Sequence, residues 1–281
     1  MVQILRYAAF TTEPGGGNPA GVVLDATGVP DAEMQAVAAE VGYSESAFLV
    51  PRQDGDLDVR YFSPLAEVPF CGHATVAASV AHAAANGSGP LRLHTRAGLV
   101  EVSTSETDTG YITATLISVS PRTEDIPTPV QAALLAALRW TEGDLDPALP
   151  VRAAYAGAWH PVVAAATRPR LADLDYDYPA LATLMTEHGW TTVQLVHRAS
   201  ETVIHSRNPF PPGGVIEDPA TGAAAAALGG YLRELGLVTL PAALTIHQGE
   251  DLGRPGVITV SIPSDHTSGI HVTGTAIPIE A

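Results

Sequence analysis

The sequence predicts an α/β chain built as two similar halves. Three observations carry this expectation. Strand-like and helix-like segments alternate along the chain. Their order repeats about 147 residues further on. Each half holds an alanine-rich helix, apolar almost all round, that follows directly on a glycine-containing turn.

In the first half, YAAFTT (7–12) and GVVLDA (21–26) read as strands, joined through the turn EPGGGNP. DAEMQAVAAEVG (31–42) reads as a helix. Met34, Val37, Ala38 and Val41 recur at helical spacing, and Asp31 is placed to cap it. SESAFLV (44–50) and DVRYFS (58–63) read as strands. ATVAASVAHAAA (74–85) is the buried helix. LRLHTRAGLVEVSTS (91–105) and GYITATLIS (110–118) close the half as strands.

The second half repeats this order. AGAWHPVVAAA matches GNPAGVVLDA, and YPALATLMTEHGWTTVQLV matches DAEMQAVAAEVGYSESAFLV, with Gly189 on Gly42. DPATGAAAAALGGYL is laid on FCGHATVAASVAHAA, which sets Pro219 opposite Cys71. LTIHQGEDLGRPGVITVSI and GIHVTGTAIPI take the closing strands. Residues 121–150 hold the crossover and the helix VQAALLAALRW. The domains are therefore expected at 1–120 and 121–281, with the last strand, about 268–281, packing back on the first half. The active site is expected in a cleft between the halves.

Composition narrows the chemistry. With 281 residues and 46% hydrophobic content, the chain can form one large domain or two ordinary ones. No apolar run reaches a membrane span and the N-terminus lacks signal-peptide features, so a cytoplasmic protein is expected. A net charge of −16 argues against nucleic acid as a partner. All 14 basic residues are arginine. With no lysine there is no Schiff base and no P-loop lysine. One cysteine forbids an internal disulfide, and the ten histidines form no His-Glu-x-x-His pattern, so no metal site is expected. The turns GHAT and ATGA lead into the two buried helices. Unpaired N–H groups at such starts can grip a carboxylate without a basic side chain; alternatively, the glycines serve tight turns.

Five motifs occur in an order that resembles the phenazine-biosynthesis PhzF family: GNPAGVV (17–23), SESAF (44–48), YFSPLAEVPFCGHAT (61–75), EDPATG (217–222) and QGEDLGRP (248–255). The resemblance implies the diaminopimelate epimerase-like fold, two pseudo-symmetric halves each with a curled mixed sheet around a central buried helix. Epimerases and proline racemases of that fold use two cysteines, one per half. Cys71 stands at the first such position and has no partner thiol, so it reads as a buried, inert small residue. PhzF-like enzymes use one glutamate instead, which the match places at Glu45, with Thr192 at the equivalent place in the second half. Such a base works best when partly withdrawn from water, and the turn and apolar strand around Glu45 suit that.

The match also places His73 and Asp218 at substrate, and Gly72 and Gly222 as backbone donors. Asn18 either shapes its turn or touches substrate. Ala223 stands where many members carry a substrate-contacting serine. By resemblance, the chain is expected to be a cofactor-independent isomerase and a homodimer. It would act on a small carboxylate-bearing, amino-acid-like substrate in phenazine-type secondary metabolism or antibiotic biosynthesis. The alternatives are a one-base amino-acid epimerase or racemase, and a non-catalytic carboxylate-binding protein on the same scaffold.

Overall fold

The structure is a computed structural model that describes residues 2–280. Two compact units are present. One comprises the residues up to Ile117 together with those from Thr273 onward, and the other runs Ser118–Val272.

The first unit contains β1 (Leu5–Ala9), β2 (Asn18–Val23), α1 (Asp31–Val41), β3 (Glu45–Pro51), β4 (Leu57–Phe62), β5 (Glu67–Val68), α2 (Gly72–Asn86), β6 (Pro90–Thr95), β7 (Gly98–Glu106) and β8 (Ile112–Ile117). β1 pairs antiparallel with β2, and β2 parallel with β3. β3 pairs antiparallel with β4, β4 parallel with β6, and β6 antiparallel with β7. Each parallel pair needs a crossover, and the two helices supply them. The run expected as one strand over 91–105 is a hairpin, turned at Arg96 and Ala97 ahead of Gly98 at φ +118°.

The second unit contains β9 (Arg122–Asp125), α3 (Thr128–Leu138), β10 (Arg152–Tyr155), β11 (Trp159–Ala164), α4 (Arg168–Ala172), α5 (Tyr178–His188), β12 (Gln194–Arg198), β13 (Val203–Pro209), β14 (Glu217–Asp218), α6 (Gly222–Glu234), β15 (Ala242–Gln248) and β16 (Gly256–Ile262). β10 to β11 is antiparallel, β11 to β12 parallel, β12 to β13 antiparallel, β13 to β15 parallel and β15 to β16 antiparallel. The first unit shows the same alternation from β1 to β7. The last strand, β17 (His271–Pro278), pairs antiparallel with β1, Tyr7 opposite Pro278.

The duplication extends to single residues. α1 and α5 both end on a left-handed glycine, Gly42 at φ +71° and Gly189 at φ +65°. Arg60 on β4 grips Glu67 through Nε and Nη2, both at 2.7 Å. Arg207 on β13 grips Glu217 through Nε at 3.0 Å and Nη2 at 2.5 Å. Both glutamates lie four residues before the residue that precedes a helix, Cys71 or Thr221. This register corrects the sequence alignment: the counterpart of Cys71 is Thr221, not Pro219. The chemical conclusion stands, because threonine supplies no thiol either.

α2 packs against β1, β2, β3, β7 and β8 of its unit, and α6 against β9, β10, β11 and β16 of its own. Every residue of α2 from His73 to Ala81 is buried. Alanine suits such a helix because small side chains let strands approach on all sides. α6 goes further: a Cβ on Gly230 would meet Pro121 at 2.3 Å, and one on Gly229 would meet Ile270 at 2.8 Å. Asp31 does not cap α1. Pro30 holds the cap position, and the Asp31 carboxylate is bound by Arg60. Among the described residues, no helix is long and apolar enough to cross a membrane.

Candidate functional site

Glu45 opens β3, where its backbone lies beside Ala20 of β2. Its side chain is 16% exposed and that of His73 is 6% exposed. Glu45 Oε2 lies 3.5 Å from His73 Nε2. Cys71 Sγ donates to the same carboxylate oxygen at 3.5 Å and lies 3.3 Å from His73 Nδ1. Ser44 Oγ lies 3.3 Å from His73 Nε2. One carboxylate, one thiol and one imidazole therefore converge where β3 begins and α2 starts.

The local sequence explains this convergence. Cys71 is extended, at φ −146° and ψ 118°, and α2 begins at the next residue. Thr75 Oγ1 donates to Cys71 O at 2.6 Å, one helical turn back. That uses the only hydroxyl hydrogen of Thr75, so the Tyr61 hydroxyl, 2.6 Å from Thr75 Oγ1, is the donor between them. Tyr61 is fully buried, and burial pushes its phenol well above the usual tyrosine range. The tether fixes the backbone that presents Cys71 and His73. Gly72 is the first helical residue, where backbone N–H groups lack intrahelical partners and the helix dipole is positive.

Asn18 is buried at the head of β2, two residues before Ala20, with its backbone paired to Ala9. Gly17 before it has φ +59°, and a Cβ there would strike Ala9 O at 2.2 Å. The glycine is therefore required by the turn that delivers Asn18.

In the second unit, Asp218 is 8% exposed on β14, beside Asn208. Its Oδ2 accepts from Thr221 Oγ1 at 2.6 Å. Gln248 completes this corner. Its Nε2 donates to Asp218 O at 2.8 Å and to Thr221 Oγ1 at 3.0 Å, and its Oε1 accepts from Thr221 N at 3.1 Å. Gly222 is buried and Ala223 half-buried in the first turn of α6. Asp218, Gly222 and Ala223 thus gather at one helix start. Glu45, Gly72 and His73 gather at the other, with Asn18 on the adjoining strand.

Thr192 occupies the second unit's counterpart of Glu45 and is bound on both sides. It donates to Asn208 Oδ1 at 3.0 Å and lies 2.8 Å from His160 Nδ1. Because Thr192 spends its hydrogen on Asn208, the His160 Nδ1–H is the donor to Thr192. Burial holds His160 neutral and lowers its pKa to about 4. This trio is a packed structural network.

Sequence reasoning missed Gln248, Ser44 and the contacts of Cys71. Gln248 opens the QGEDLGRP motif, so the signal was present without a role attached to it. Cys71 is buried as expected, but its sulfur touches both Glu45 and His73. Glu45, Cys71 and His73 also form a group of potential metal ligands within 4.8 Å of one another, which no sequence spacing announced.

Comparison with known proteins fits this geometry. A family model described as phenazine biosynthesis-like protein matches residues 7–281. The uncharacterized isomerase YddE of Escherichia coli (strain K12) is 35% identical over 98% of this chain and 95% of its own. The trans-2,3-dihydro-3-hydroxyanthranilate isomerase of Pseudomonas fluorescens is 31% identical over 89% of this chain and 86% of its own. The crystal structure of a PhzF-family phenazine biosynthesis protein from Bacillus anthracis matches with a TM-score of 0.89 at 26% identity, covering 99% of this chain and 97% of that one. A probable proline racemase from Agrobacterium radiobacter shares the fold, with a TM-score of 0.67 at 13% identity over 99% and 91% of the two chains. With the family model matched over residues 7–281 and named isomerases aligned along most of its length, the chain belongs to the phenazine biosynthesis-like (PhzC-PhzF) family and is an isomerase.

Proposed function

We propose that the chain is a cofactor-independent isomerase that moves a double bond in a small carboxylate-bearing, amino-acid-like substrate, with Glu45 carrying the proton. Glu45 takes a proton from a carbon whose C–H bond is acidified by conjugation. The electron pair shifts along the conjugated system, and the same carboxyl returns the proton to another carbon. Atoms and charge balance without a further reactant. His73 steadies the Glu45 carboxylate, and the N–H groups of Gly72 and His73 at the α2 start receive the substrate's anionic group. Asp218 accepts the substrate's amino group, with Gly222 and Ala223 lining the first turn of α6. Secondary metabolism and a homodimer belong to this reading by resemblance.

One observation carries the reading. Glu45, Cys71 and His73 lie within one cluster of one unit, so a substrate seated on it meets all three from the same side. A proton removed and returned on one face shifts a double bond; epimerisation needs donors on opposite faces. The second unit's counterpart of Glu45, Thr192, is tied to His160 and Asn208, which argues against a paired-base racemase.

The test is incubation in deuterated water with trans-2,3-dihydro-3-hydroxyanthranilate and with a panel of small unsaturated amino acids. The reading expects a shifted double bond, with deuterium entering at the newly protonated carbon to the extent that the Glu45 proton exchanges. Inversion at an α-carbon with no double-bond movement would replace it with the epimerase reading. Binding with neither would favour a binding protein.

A further inference from the structure

We propose that Gln248 and Thr221 are positioning residues that present the Asp218 carboxylate to the substrate's amino group. The inference rests on the function proposed above, in which Asp218 receives that group. It adds the side chains that hold the carboxylate in place and make it the acceptor.

Hydrogen accounting gives these contacts a direction. Gln248 is 1% exposed at the end of β15. The backbone N–H of Thr221 can bond only the carboxamide oxygen, which it does at 3.1 Å, so the nitrogen is assigned. That nitrogen can only donate, and it donates to Asp218 O at 2.8 Å and to Thr221 Oγ1 at 3.0 Å. Thr221 Oγ1 is therefore an acceptor toward Gln248, and its own hydrogen goes to Asp218 Oδ2 at 2.6 Å. The chain runs from amide to hydroxyl to carboxylate, with Asp218 as the acceptor at its end. Thr221 also stands where a capping hydroxyl would bond the first turn of α6; its hydroxyl is spent on Asp218 instead.

The first unit shows that the fold does not require this arrangement. With Arg60 equivalent to Arg207, Val68 matches Asp218, Cys71 matches Thr221 and Thr95 matches Gln248. The same strand, turn and helix form there with a valine, a thiol and a threonine whose hydroxyl donates to Gly98 O at 2.8 Å. Of the two units, the second alone combines amide, hydroxyl and carboxylate at these three positions. The residue after Gln248 crowds the same corner: a Cβ on Gly249 would meet Pro219 O at 2.7 Å.

The test uses two saturated probes that have no double bond to move. One is trans-2-aminocyclohexanecarboxylate; the other, cyclohexanecarboxylate, lacks the amino group. Titration calorimetry on the full-length parent should show tighter binding of the amino acid. Thr221→Val should cut that preference about fivefold or more, while affinity for cyclohexanecarboxylate stays within about twofold. Thr221→Ser, which keeps the hydroxyl, should restore the preference. Gln248→Met should cut it as Thr221→Val does. The two changes together should lose little more than the larger single effect, because both act through one chain. Circular dichroism checks folding, and Thr221→Val with its serine rescue decides the matter if Gln248→Met does not fold. An unchanged preference in Thr221→Val, or equal loss of affinity for both probes, overturns the positioning role and leaves the Asp218 contact standing. Additive losses overturn the shared chain. A parent with no preference for the amino acid overturns the Asp218 contact and this inference with it. Neither result touches the proton transfer assigned to Glu45, which the deuterium experiment reads.

Discussion

Cys71 Sγ and Glu45 Oε2 lie 3.5 Å apart, and the sulfur donates to the carboxylate. The chain's single cysteine thus lies beside the carboxylate proposed as the base. Its own counterpart, Thr221, is engaged by Asp218 and Gln248. In the proposed function, proton transfer rests on the carboxylate.

His160 ties stability to pH. Its folded pKa of about 4 lies below the ordinary histidine value because the ring is buried, so between the two values only the unfolded chain takes up the proton. Stability from this group is complete above pH ~6.5 and falls as pH drops toward about 4, by an amount on the order of 3 kcal/mol. Urea unfolding of the parent and of His160→Gln, compared at pH 7 and pH 5, should show a smaller acid loss in the variant. Equal losses would remove His160 from the account.

Arg207 and Glu217 form the more buried of the two equivalent ion pairs, with side-chain exposures of 10% and 1%. Burial pushes the Glu217 carboxyl up, while Arg207 pulls it back. Glu217→Ala leaves the guanidinium without its carboxylate and should cost about 3–5 kcal/mol. Glu67→Ala, in the pair where Arg60 is 23% exposed, should cost less. Chemical denaturation measures both, and the reverse order would contradict the burial argument.

Asp218→Asn keeps an acceptor for Thr221 Oγ1. The melting temperature should change little while affinity for an amino-acid-like ligand falls. A sharp drop in melting temperature with ligand affinity kept would make Asp218 purely structural.

Ala223→Ser adds one hydroxyl to a half-buried position in the first turn of α6 and should fold normally. Turnover of trans-2,3-dihydro-3-hydroxyanthranilate should rise relative to the parent. Higher turnover by the alanine form would contradict the idea that the missing hydroxyl directs specificity.

Much of this was legible in the sequence, for identifiable reasons. Gly42 and Gly189, and the two glycine-led helices, mark the repeat because backbone geometry restricts which residues can stand there. Glu45 and His73 were placed by motif, and the structure brings them to 3.5 Å. The counterpart of Cys71 was misread because alanine-rich helices align in several registers. The equivalent ion pairs Arg60–Glu67 and Arg207–Glu217 fix the register, and they become visible only once strands are paired. The His160–Thr192–Asn208 network joins two strands and the segment before β12, residues up to 48 positions apart, and no local pattern encodes it. Asp31 looked like a cap by position, but Arg60, 29 residues away, takes its carboxylate.

The measurement that bears most directly on the central claim is deuterium incorporation from solvent by Glu45→Gln beside Cys71→Ala. Glu45→Gln preserves shape and removes the base, so turnover should fall by about 10²–10⁴ while a carboxylate ligand still binds. Cys71→Ala removes a neighbour of the base and should keep most of the turnover, with a modest loss of stability from the buried site. A folded, inactive Cys71→Ala together with an active Glu45→Gln would contradict the account and return the chemistry to the thiol.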